Sequence, residues 1–178
     1  MGNFLRHQVL GRPWLWAPVV FLSDFVSKRL VLAHEMELRA RINVIGDLAR
    51  FIYVRNPGSA MGLFPVGRMA LIAVSALASV FIVYLYRTTD SRHRARLGAM
   101  AAILGGALGN LVDRIFYHGH VVDFIDLGWG THRFYTFNVA DIGVTIGGVI
   151  LFFCILFEDR HSAKVTADSL PAKDLDQQ

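Results

Sequence analysis

The sequence predicts an all-α membrane protein, four transmembrane helices with a small extracytoplasmic β-rich loop region. Three observations carry that expectation. The chain of 178 residues is 54% hydrophobic with a mean hydropathy of +0.43, too apolar for an ordinary soluble domain and long enough for one compact membrane domain. Its apolar residues gather into runs of about the 20 residues that a spanning helix needs. Its basic residues, which give a formal net charge of +4, stand beside those runs, as a topology signal does, so nucleic acid is not an expected partner.

The first run spans residues 13–33, behind a short basic start with Arg6 and Arg12. A cleaved signal peptide begins the same way, but its apolar region is only about 7–15 residues long. Asp24 and Lys28 inside the run argue against that reading. Spaced i,i+4, they share a helix face, where each offsets the other's desolvation cost and forms a structural ion pair. Residues 34–65 are polar and mixed. Two β-prone pieces, 42–45 and 51–54, flank a Gly46-Asp47 turn and suggest a hairpin. The stretch NPGSAMG at 56–62 reads as a tight irregular loop. Asn56 either caps that turn or offers its amide to a substrate backbone, and both readings stand.

The second run, residues 66–86, has no charge after Arg68 and reads as a scaffold helix. A short connection with Arg87, Arg92, Arg94 and Arg96 follows, the strongest positive-inside signal in the chain. The third run covers 97–116 and the fourth 137–157. Gly105 and Gly109 in one, and Gly143 and Gly147 in the other, have the GxxxG spacing that lets helix backbones approach closely. Cys154, the single cysteine, lies in an apolar run and supplies neither an intrachain disulfide nor a metal cluster. The membrane domain is expected over residues 1–157, with a disordered cytoplasmic tail over 158–178.

With the arginine-rich connection in the cytoplasm, an even number of spans places both termini there. Arg39, Arg41, Arg50 and Arg55 in the loop 34–65 count against that orientation, but the short loops weigh more. Asn110, Arg114, Asp123, Asp141 and Asn56 then converge on the outer face, with Asp24 and Lys28 in the outer half of the first span. An Asp or Arg at a helix centre costs about 2.5–3.5 kcal/mol on insertion scales, so such residues point to function. Two carboxylates that share a site do not both ionise cheaply, and one then serves as general acid while the other serves as general base. That suits hydrolysis of an amide by an activated water. No zinc-binding HExxH helix is present, and His118, His120 and His132 match no standard metal spacing. Neither a metal nor another cofactor is expected.

These residues lie in five blocks: DFVSK at 24–28, NPGSAMG at 56–62, GGALGNLVDR at 105–114, VVDFID at 121–126 and FNVAD at 137–141. Together they resemble the bacterial lipoprotein signal peptidase family, signal peptidase II, across all four runs in order. The resemblance implies a four-helix inner-membrane aspartic endopeptidase. Such an enzyme removes the signal peptide of diacylglyceryl-modified prolipoproteins on the N-terminal side of the lipidated cysteine, with its site near the periplasmic face. It implies Asp123 and Asp141 as the catalytic pair. It further implies Asn56, Gly58, Asn110, Arg114, Asn138 and Ala140 as substrate- and lipid-binding residues, Asp24 and Lys28 as a structural polar pair, and binding of the cyclic peptide antibiotic globomycin. Asp113 and Asp126 are read as supporting or capping residues. Phe25, Pro57 and Met61 depart from the usual pattern, which bears on loop flexibility and inhibitor affinity. A proton-coupled carrier would need polar residues through the depth of the bilayer, which the apolar second and fourth runs lack. A purely structural adaptor would leave the Asn-Asp-Arg clustering without a reason.

Overall fold

The computed structural model describes residues 12–58 and 67–168, with side chains described as far as Phe157. A short 3-10 turn, Pro13–Leu15, leads into helix α1, Trp16–Ala33. A one-turn helix α2, Glu35–Arg39, precedes strands β1, Ile42–Ile45, and β2, Ala49–Asn56. Helices α3, Arg68–Thr88, and α4, Arg94–Phe116, follow. Strands β3, Val121–Trp129, and β4, His132–Arg133, then lead to the last helix, α5, Val139–Asp168.

Helix α4 is the hub, packed against α1, α3 and α5. Its glycines make this possible. A Cβ on Gly109 would lie 2.4 Å from Asp24 Oδ2, so the absence of a side chain there is what admits the α1 carboxylate. The outward surfaces are apolar, with Leu77, Val80, Phe81, Ile146 and Phe152 more than half exposed. Asp24, Lys28, Asp113, Asp123, Asp126 and Asn138 are buried. This inside-out distribution is what lipid as solvent demands, since buried polar groups are satisfied by one another.

Three helices are long and apolar enough to cross a membrane: Arg68–Thr88, Arg94–Phe116 and Val139–Phe157. The first expected span is helical as α1 but is not among them, because it carries Asp24, Lys28 and Arg29 within 18 residues. Asp24 and Lys28 face α4 and α5, while Arg29 is exposed and lies over the rings of Phe25 and Tyr117. At the other end of the chain the backbone of α5 runs on to Asp168. Residues 158–168 are therefore helical where a disordered tail from residue 158 is expected, because the helix continues from its apolar part into polar sequence without a Pro or Gly to stop it. Residues 169–178 of that tail lie outside the described residues, as do residues 59–62 of the expected irregular loop.

The β-rich region is larger than the expected hairpin. All four strands form one antiparallel sheet in the order β1-β2-β3-β4. The 117–136 segment, between the third and fourth runs, contributes β3 and β4. In β3, Val122 and Phe124 join Val31 of α1 and Leu38 of α2 in an apolar cluster, while Asp123 between them points the other way, the period-2 alternation of a strand. A bulge between Phe51 and Val54 gives β2 one residue more than β3 over the stretch that ends opposite Asp123. Helix α4 leaves for β3 through Gly119, at φ +90°, a left-handed conformation natural to glycine. Its N–H bonds back to Arg114 O at 2.9 Å.

Candidate active site

The site sits where the sheet meets one end of the helices, and short-range rules place most of it. Asn138 precedes α5 and Asp141 stands in its first turn. Asn138 Oδ1 accepts the Asp141 N–H at 3.0 Å and Asp141 Oδ2 accepts the Asn138 N–H at 3.2 Å. This is a reciprocal capping box, and the carboxylate stands favourably at the positive end of the helix dipole. The chain just before the cap is pinned to β3. Phe137 O accepts from the N–H groups of Phe124 and Ile125, and Phe137 N–H donates to Ile125 O. Asn138 is thereby laid alongside Asp123, and its Nδ2 donates to Asp123 Oδ1 at 2.6 Å.

Asp123 is only 2% exposed. Its other oxygen accepts from Asn56 Nδ2 at 2.8 Å, a residue delivered by the end of β2. Burial pushes the Asp123 carboxyl up from 3.8 to about 6, and the Asp141 charge adds to the rise. The hydrogen bonds from Asn56 and Asn138 and the charge of Lys28 act the other way. Asp141 is half-buried and its Oδ1 accepts from Asn110 Nδ2 at 2.8 Å. Asn138 Nδ2 also lies 3.1 Å from Asn110 Oδ1. The two aspartates are therefore linked through two asparagines, one from α4 and one from the start of α5.

A buried ion cluster stands behind them. Lys28 Nζ meets Asp24 Oδ2 at 2.8 Å, Asp113 Oδ2 at 2.9 Å and Asn110 Oδ1 at 3.0 Å. Asp24 Oδ1 accepts the Ala140 N–H at 2.8 Å, and Asp113 Oδ2 accepts the Val122 N–H at 3.1 Å. The expected pair on one helix face is thus a four-residue network that reaches α4, α5 and β3. Because Asn110 Oδ1 accepts from Lys28, its Nδ2 is left to face Asp141. Ala140 is fully buried, its methyl packed towards Gly109.

Asn56 acts as an acceptor as well as a donor: its Oδ1 takes the Gly58 N–H at 2.9 Å, closing the turn that one of its two readings expects. Gly58 has φ +74°, and a Cβ there would stand 3.6 Å from Arg114 Nε and 2.9 Å from Leu71 Cδ1. Arg114 Nη1 donates to Asn110 O at 3.1 Å. The structure therefore gathers Asn56, Gly58, Asn110, Arg114, Asp123, Asn138 and Asp141 at one place, with Asp24, Lys28 and Ala140 behind. Asp113 does not cap a helix. It ties Lys28 to the start of β3. Asp126 lies further along β3 and forms a bidentate pair with Arg133, at 2.7 Å and 3.1 Å. No signal in the sequence singles out Arg133. Among the described residues, no group of three His, Cys, Asp or Glu side chains could hold a metal ion.

Known proteins share this sequence and fold. The family model described as Signal peptidase (SPase) II matches residues 16–157. The lipoprotein signal peptidase of Symbiobacterium thermophilum is 41% identical over 144 residues, covering 81% of this chain and 93% of that protein. That of Desulforapulum autotrophicum is 37% identical over 158 residues, covering 86% and 96%. Two solved structures, each described as a bacterial membrane enzyme determined by the in meso method, have the same fold. One has a TM-score of 0.73 at 26% identity, covering 93% of this chain and 96% of its own. The other has a TM-score of 0.71 at 28% identity, covering 83% and 94%. With the family match spanning all the helices and the sheet between them, the chain belongs to the signal peptidase II family of bacterial membrane peptidases that process lipoprotein precursors.

Proposed function

We propose that this member is an aspartic endopeptidase in which Asp123 and Asp141 cleave the signal peptide from diacylglyceryl-modified prolipoproteins, on the N-terminal side of the lipidated cysteine. The observation that supports this reading is the linked carboxylate pair: Asp123 buried and raised to about 6, Asp141 half-open at a helix start, and both held by Asn110 and Asn138. Asp141, as the carboxylate, takes a proton from the attacking water as its oxygen bonds to the scissile carbonyl carbon. Asp123, as the acid, donates its proton towards the developing oxyanion. Collapse of the tetrahedral intermediate breaks the C–N bond, and the proton taken from water passes to the leaving amine.

Arg114, with its fork of donors, and the second Nδ2 hydrogen of Asn56 hold the polar groups around the modified cysteine, and Gly58, whose N–H is taken by Asn56 Oδ1, leaves space beside Arg114. The acyl chains lie between the helices and fix the depth of the bond, each buried CH₂ contributing about 0.8 kcal/mol. Globomycin competes for the same space. The test is cleavage of a diacylated precursor by purified protein in detergent. Asp123→Asn and Asp141→Asn keep shape but cannot exchange a proton, so each is expected to lower kcat by about 10²–10⁴-fold or more with thermal unfolding of the protein retained. Wild-type turnover is expected to resist EDTA and to stop with globomycin. Near-normal turnover by either variant removes that Asp from the mechanism.

A further inference from the structure

The opposite end of the bundle carries a second feature that the peptidase reaction does not use. A groove of about 420 Å³ lies between the turn that opens α1, the first part of α4 and the middle of α5. Trp16, Gly98, Ala102, Ile146 and Ile150 give it apolar walls, and Arg94, the first residue of α4, stands at one end. Its volume falls within the roughly 300–1,000 Å³ of ligand pockets. From residue 102, where the groove ends on α4, to residue 110 the helix rises about a further 12 Å, so the groove is separate from the aspartates. We propose that it is a binding site for one anionic glycerophospholipid of the surrounding membrane, an acyl chain lying in the groove and the phosphate held by Arg94.

Dimension and charge both point to this occupant. Between residues 94 and 102 the α4 wall runs about 12 Å, close to the depth of one leaflet's hydrocarbon, about half of the ~30 Å core. Ile146 and Ile150 are 55% and 41% exposed, so the groove opens sideways to the bilayer. Arg94 is exposed; its backbone N–H bonds to Arg92 O, while its guanidinium makes no hydrogen bond or ion pair among the described residues. The acid of the preceding connection, Asp90, is occupied by Arg92 at 2.8 Å. A guanidinium presents a planar fork to phosphate oxygens, and Trp16 supplies the aromatic body typical of the membrane interface. Arg12, beside Pro13 of the wall, adds a second positive charge near the mouth.

Native mass spectrometry of the full chain, released from an uncharged detergent with equal amounts of phosphatidylglycerol and phosphatidylcholine of matched chains, tests the assignment. One phosphatidylglycerol per chain is expected to be retained in preference to phosphatidylcholine. Arg94→Ala is expected to weaken phosphatidylglycerol retention about fivefold, the loss of one basic group beside an anionic headgroup, while leaving phosphatidylcholine unchanged. Ala102→Phe, which fills the groove, is expected to lower both. Equal retention of the two lipids by the wild type, or indifference to Arg94→Ala, would overturn the proposal, and so would a dimer that Ala102→Phe dissociates. Arg94 is exposed, so its variant decides the matter even where Ala102→Phe unfolds.

Discussion

The amide of Asn56 is committed at both ends, its oxygen to the Gly58 N–H and its nitrogen to Asp123. Its donation favours the ionised form of Asp123 against a burial that favours the neutral one. Asn56→Ala removes that donor, so the Asp123 carboxyl should rise above its present value of about 6. As the acid of the pair it would then stay protonated to higher pH, and the alkaline limb of the pH–rate profile should move upward. The limb belongs to the coupled pair, so its shift is read from the whole profile. A limb that moves down, or stays put, would count against Asp123 as the proton donor. The same group sets a sign for stability: its folded value lies above the ordinary 3.8, so the stabilisation from protonated Asp123 is full below about pH 4 and is lost as pH rises through about 6. At this scale the sequence was legible where polar side chains interrupt apolar runs, which is how Asn110, Asn138 and Asp141 stand out, while Asp123 stands in the segment between the third and fourth runs. Asp113 was visible but its role was not, because its partners are Lys28 in another helix and a backbone N–H in a strand.

Among the elements, α1 depends most on its neighbours. Its Lys28 balances two buried carboxylates, Asp24 and Asp113, and removing the cation leaves both unpaired away from water. Lys28→Met should therefore cost about 3–5 kcal/mol, measured as loss of thermal stability in detergent at neutral pH. Asn110 loses a donor to its Oδ1 in the same variant, so surviving protein should also turn over slowly. A Lys28→Met protein as stable as wild type would show that the cluster carries no net charge in the folded state. Helix periods and lengths were readable from hydropathy, and α3 and α4 start within a few residues of expectation. Strand β3 was not, since in VVDFID the acids stand three residues apart and not two. Both of its faces are buried, so the period-2 contrast of a half-exposed strand is missing, and its pairing with β2 is set by residues some seventy positions away.

For the whole molecule, everything that bears on peptide chemistry lies at one end of the bundle and the arginine-rich connection at the other. We propose that the first end faces the periplasm, with both termini in the cytoplasm and α1 as the fourth crossing. A membrane-impermeant thiol reagent applied to intact cells, with Cys154 replaced, should label a cysteine placed at His120 and fail to reach one at Arg92. Labelling of Arg92 from outside would invert the orientation. The gathering of site residues at one end was readable from their positions relative to the apolar runs. The sheet that roofs them was only half readable, since its order depends on contacts between segments distant in sequence.

Asn138 gives the site a lifetime as well as a shape. The amide that starts α5 is also the one that donates to Asp123, so the first turn of that helix and the proton donor cannot come apart separately. Exposed helix ends fray at far lower free energy than whole domains unfold, but here Asn138 and Ala140 are fully buried and the Ala140 N–H is held by Asp24 of the lysine cluster. Opening this turn would withdraw a hydrogen bond from Asp123, swing Asp141 out of line and break the tie to Asp24 together. On heating, the enzyme should thus keep its activity until the lysine cluster gives way, and lose both in one transition.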